Sequence, residues 1–78
     1  MDIKSKIGIR IKELREERQM SQKDLAYTSD LDRSYIASVE SGQRNVSIVN
    51  IERIASALGV TIKGFFDNER FNHNPTGS

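Results

Sequence analysis

The chain has no cysteine in its 78 residues. That rules out a disulfide or a thiolate-held metal as a brace for a small fold. The absence also agrees with the cytoplasmic location expected of the chain. No apolar run approaches the roughly 20 residues that a membrane span needs, and the N-terminus lacks the apolar stretch of a signal peptide. Charge of one sign is lacking too. Twelve Lys and Arg against 11 Asp and Glu leave a net charge of +1, whereas nucleic-acid binders are often far more basic. Bulk charge therefore argues for no partner, and any such argument must rest on a motif. Catalytic signatures are missing as well: there is no glycine-rich phosphate loop, no histidine pair and no plausible triad. His73 is the sole histidine and lies in the tail without ligand partners at metal spacing. No enzyme activity, cofactor, metal or small-molecule ligand is expected.

A chain this short forms one domain, and it buries only about 60% of the surface it exposes when unfolded. Its core is marginal unless a partner adds to it. What the sequence does contain is helical spacing. Ile3, Ile7, Ile11 and Leu14 recur at intervals of four, four and three, with charged residues between them, which predicts a helix over residues 3–18. Ser21 opens a Ser-x-x-acid pattern with Asp24, close to a capping box, and starts a short helix that carries Leu25 and Ala26. Asp32 is the N-cap candidate of a third helix in which Leu31, Tyr35, Ile36 and Val39 are able to pack inward. Ser41 to Asn45 reads as a turn, with Gly42 suited to a left-handed helix end. Ser47 precedes a fourth helix carrying Ile48, Ile51, Ile54, Ala55 and Leu58, which Gly59 ends. Thr61 caps a short fifth helix with Ile62, Phe65 and Phe66. The fold class is all-α, five helices in a compact domain over residues 1–67. A polar C-terminal tail, expected to be flexible, follows over residues 68–78.

Two short helices joined by a tight turn form the geometric element of a helix-turn-helix, whose second helix enters the major groove. Ala26 is small enough for the second and third helices to approach closely. Asp30 stands at the turn, and Asp tolerates left-handed backbone better than most non-glycine residues. The outward face of the third helix then offers Arg33, Ser34, Ala37 and Ser38. An arginine forms a bidentate pair with guanine, and serine bonds several base edges. As a plain surface residue, Arg33 would oppose the helix dipole, so function explains its place better than stability does. Arg44 and Asn45 also admit a simpler reading as ordinary turn chemistry.

Ser21-Gln22, Asp24-Leu25-Ala26, Leu31, Arg33-Ser34-Tyr35-Ile36, Glu40, Gly42 and Arg44-Asn45 together resemble the Cro-like (Xre-type) helix-turn-helix regulators, which have a lambda-repressor-like fold. Ile54-Ala55, Ala57-Leu58-Gly59-Val60 and Phe65-Phe66 extend the likeness to residue 66. Asp32 to Ile36 with Arg44-Asn45 is similar to the controller proteins of restriction–modification systems. Two positions depart from the pattern, Asp30 where glycine is commonest and Val46 where proline is common.

The resemblance implies a transcriptional regulator that binds a pseudo-palindromic operator in double-stranded DNA as a homodimer. For controllers it further implies two dimers on tandem sites. Base-reading positions fall on Arg33, Ser34 and Ser38, and backbone-contacting positions on Gln22, Tyr35, Gln43, Arg44 and Asn45. Glu40 implies an ion pair with Arg10 or Arg15 of the first helix. Asp24 and Asp30 are candidate contacts to RNA polymerase. The dimer surface falls on Ile62, Phe65 and Phe66, because two adjacent Phe residues do not fit comfortably into one small core. The alternatives are a phage- or plasmid-type repressor, or an antitoxin or other protein-interaction module built on the same fold.

Overall fold

The computed structural model describes residues 2 to 72, and within them the chain forms helices and no strand. The five helices are α1 (Ile3–Glu17), α2 (Gln22–Ser29), α3 (Arg33–Glu40), α4 (Ile48–Ala57) and α5 (Ile62–Phe66), followed by a 3-10 turn at Glu69–Phe71. Each start has a local cause. The side chains of Asp2, Ser21, Ser47 and Thr61 accept the backbone N–H of Ser5, Asp24, Asn50 and Gly64 respectively. At α2 the capping box is complete, since the Asp24 carboxylate accepts the Ser21 N–H in return at 2.9 Å. That bond holds the Asp24 carboxyl below its usual range. Asp32 does stand at the N-cap of α3, but its side chain makes no capping bond.

The helix ends share one device. Gln19, Asp30, Gly42 and Gly59 all take positive φ, at 56°, 60°, 80° and 77°. The N–H of the residue that follows each of them then returns to a carbonyl five residues back: Met20 to Arg15, Leu31 to Ala26, Gln43 to Ser38 and Val60 to Ala55. This closes orphan carbonyls and turns the chain sharply. Asp30, with φ 60° and ψ 43°, thus performs at the helix-turn-helix what glycine would do there.

The core is built from Ile7, Ile11 and Leu14 of α1, Leu25 and Ala26 of α2, Ile36 and Val39 of α3, Ile51, Ile54 and Ala55 of α4, with Leu58 and Phe65. Val46 packs against it, so the replacement of the usual proline leaves an apolar plug in place. Gly8 faces α3 so closely that a Cβ there would collide with the Val39 and Glu40 carbonyls. Two members of the expected apolar faces lie outside the core, Ile3 at 55% exposure and Ile48 at 64%. Both sit in the first turn of their helix. Helical side chains lean toward the N-terminus, so these two overhang the end of the packed region.

Residues 68 to 72, assigned above to the polar tail, turn back onto the domain. Arg70 donates to both carboxylate oxygens of Glu13 at 2.7 and 2.9 Å. Phe71 packs edge-on against Phe66, with ring centroids 4.9 Å apart. The packed chain therefore runs five residues beyond the expected boundary at 67. The rest of the tail, His73 included, lies outside the described residues.

Candidate nucleic-acid interface

The recognition element is held from behind by one carboxylate. Glu40, at the end of α3, has a side chain only 6% exposed and accepts Arg15 Nε at 2.8 Å and Nη2 at 3.1 Å. Arg15 also donates to the Met20 carbonyl just ahead of α2, at 2.8 Å. Gln22 Nε2 donates to Glu40 Oε1 at 3.2 Å. The end of α1, the start of α2 and the end of α3 thus meet at a single neutralised pair. This settles the choice between the two arginines. Arg10 turns instead to the end of α5 and donates to the Phe65 and Gly64 carbonyls at 2.7 and 3.0 Å. Hydrogen bonding to Glu40 raises the Arg15 guanidinium above its ordinary value, so Arg15 keeps its charge.

In front of that anchor lies the outward face of α3. Arg33 and Ser34 are both exposed in its first turn. Ser38 sits one turn further along and is half-buried. Tyr35 is half-buried too, and its hydroxyl accepts Asn50 Nδ2 of α4 at 3.1 Å. The Arg44 guanidinium lies 5.4 Å from the centroid of the Tyr35 ring, within cation–π range. Gln43, Arg44 and Asn45 are all exposed in the loop that leaves α3. Gln22 is half-buried through its bond to Glu40, which leaves one of its two amide N–H groups for another acceptor. The structure therefore brings Tyr35, Ser38 and Arg44 into one cluster. Arg33 and Ser34 stand at the opposite end of α3, and Gln22 stands at the start of α2.

A helix with an exposed arginine at its first position, flanked by amide and guanidinium donors, presents hydrogen bonds to an anionic partner and to base edges. Glu40, the carboxylate within α3 itself, is spent on Arg15. Asn50 was not singled out in the sequence, and nothing in its spacing marks it as the support of Tyr35.

The helix-turn-helix family pattern matches residues 11–65 of the chain. Control protein C.MunI from a Mycoplasma species is 46% identical over 68 residues, which cover 86% of this chain and 92% of that protein. The chain belongs to this helix-turn-helix family, among the restriction–modification controller proteins. The controller C.AhdI from Aeromonas hydrophila has a solved structure that superposes with a TM-score of 0.78 at 49% identity, covering 81% of this chain and 96% of that one. The controller C.Esp1396I, solved as a tetramer on its natural 35 base-pair operator, superposes with a TM-score of 0.81 at 42% identity, covering 86% and 88%. A controller is a regulator and not an enzyme, in agreement with the missing catalytic signatures. The five-helix reading of the sequence holds as well.

The apolar surface at α5 is divided differently from the expectation. Phe65 is fully buried in the monomer, at 0% exposure, and so it cannot touch a partner. Ile62 and Phe66 are half-buried, and Phe71 joins them. One Phe of the adjacent pair faces the core and the other lies on it edge-to-face, with centroids 5.0 Å apart. Phe65 is thus a core residue and leaves the dimer surface expected of both rings.

Proposed function

We propose that the chain is the controller of a restriction–modification system, acting in the cytoplasm on operator DNA as a homodimer. The observation that carries this reading is α3 itself, with Arg33 exposed in its first turn, its far end pinned by Glu40 and Arg15, and the exposed donors of Gln43, Arg44 and Asn45 beside it. Arg33 and Ser34 read base edges in the major groove, while Gln22, Tyr35, Gln43, Arg44 and Asn45 hold the phosphates. Ile62 and Phe66, backed by Phe65, form the dimer contact. The tetramer of C.Esp1396I on a 35 base-pair operator supports two dimers on tandem sites here also.

Selection of bound duplexes from a random pool tests the reading. A two-fold symmetric site with half-sites about 34–36 Å apart is expected, one helical turn along the same face. Affinity should fall steeply with salt, as phosphate contacts require. Recovery of no preferred sequence would remove the operator function.

Activation requires a polymerase contact, for which Asp24 and Asp30 are the candidates. Asp30, Leu31, Asp32 and the exposed Tyr27 line a shallow concavity on the α2 side of the turn. The doubly neutral variant Asp24→Gln with Asp30→Asn keeps a capping side chain and a residue tolerant of left-handed backbone. It should bind the operator but no longer raise transcription. Full activation by that variant would exclude the contact.

A further inference from the structure

Ser38 occupies a position from which a side chain is expected to read a base, yet its proton and one of its two lone pairs are already engaged. Its single proton goes to the backbone of its own helix, to the Tyr35 carbonyl at 2.9 Å with the Ser34 carbonyl at 3.1 Å. The oxygen in turn accepts Arg44 Nε at 3.2 Å. A base acceptor would need the proton that α3 holds, and a base donor would have to share the oxygen with Arg44, whose Nε already uses one of its two lone pairs. Arg44 is the residue that gains from this arrangement. It is held at two points, by Ser38 through Nε and by the Tyr35 ring 5.4 Å beneath its guanidinium. The ring is itself fixed to α4 through Asn50. Among the described residues, the two Nη groups of Arg44 have no hydrogen-bond partner, so four N–H donors project from a fixed base.

We infer that Ser38 is not a base reader but a positioning residue for Arg44, setting the guanidinium fork before DNA arrives. The inference rests on the reading of Arg44 as a phosphate-binding residue. Its physical basis is entropy. A long side chain loses rotamer freedom when it binds, and one already held by Ser38 and Tyr35 has less to lose. Nothing in this role depends on the base pair beneath it. Ser38 therefore affects how tightly every site is held and leaves the choice among sites to Arg33 and Ser34.

The test is a double-mutant cycle on a duplex recovered from a random pool by the unsubstituted protein, together with a set of its single-base variants. Ser38→Ala should weaken binding to all of them by about 3- to 10-fold, the scale of one immobilised side chain. The order of preference among them should stay the same. Ser38→Thr, which keeps the hydroxyl, should restore the affinity. Arg44→Ala should weaken all sites and lower the salt slope by about one. Adding Ser38→Ala to Arg44→Ala should then change nothing further.

If Ser38→Ala reorders the base preferences, or costs as much without Arg44 as with it, the inference is overturned. If Arg44→Ala leaves affinity and salt slope intact, the phosphate reading of Arg44 fails instead. In the free protein, the Arg44 Nε proton should exchange slowly with water, and Ser38→Ala should release it. Equal exchange rates in the two proteins would also count against the inference.

Discussion

Arg15 of α1 and Glu40 of α3 meet through two hydrogen bonds, at 2.8 and 3.1 Å, with side chains 11% and 6% exposed. They are separated by 25 positions in the chain, and the pair fixes where α3 ends relative to α1 and the start of α2. A buried pair of this kind adds little to stability over an apolar replacement, but breaking it leaves a charge without a partner. Glu40→Ala should therefore cost about 3–5 kcal/mol in urea denaturation, a large part of the roughly 5–15 kcal/mol available to a domain. The double replacement Arg15→Met with Glu40→Leu should recover most of that loss. An Ala variant of unchanged stability would show that the pair is not held as described.

The clasp between Glu13 and Arg70 gives the molecule an acid-sensitive joint. Hydrogen bonding by Arg70 lowers the Glu13 carboxyl below its ordinary value of 4.5. Its contribution to stability is therefore complete above that ordinary value and is lost as pH falls through the lowered folded value. Glu13→Gln should be less stable than the parent protein at neutral pH, by a small amount because Glu13 is partly exposed. The difference should shrink as the medium is acidified below 4.5. Melting curves recorded over that range check it, and a difference independent of pH would contradict the coupling.

Phe66 and Ile62 lie on the surface of a domain too small to bury much apolar area alone. Phe66→Glu should shift sedimentation from dimer toward monomer and weaken operator binding, because two linked half-sites bind more tightly than one. Phe65→Glu should instead unfold the monomer, since that ring is wholly inside. Identical behaviour of the two variants would mean that Phe66 is a core residue and not a contact.

Much of this was legible before the fold was known, and the reasons are local. Ser21, Ser47 and Thr61 start helices because a hydroxyl caps free N–H groups, and helical spacing in α4 and α1 marks a buried face. The turn at Asp30 could be read because Asp is one of few residues at ease in left-handed backbone. Gln19 could not be read in the same way. It adopts φ 56° at the end of α1, and glutamine carries no turn signal.

Longer-range relations were hidden for a different reason. Arg70 lies 57 positions from Glu13, so the polar composition of residues 68–72 looked like a tail. Arg10 and Arg15 were equal candidates for Glu40, yet five positions apart they point to different sides of α1, and only the packing selects one. The role of Ser38 was concealed by the same limit, because its partner Arg44 lies beyond the turn that ends α3.

Base reading by Arg33 is the centre of the functional proposal, and a panel of operator duplexes that differ by one base pair tests it most directly. The unsubstituted protein should discriminate against the wrong base pair by about 1–3 kcal/mol at the position under Arg33 in each half-site. Arg33→Ala should erase that discrimination while leaving the other positions graded as before. If Arg33→Ala leaves every relative affinity unchanged, Arg33 does not read a base, and the assignment of α3 as the reading helix loses its main support.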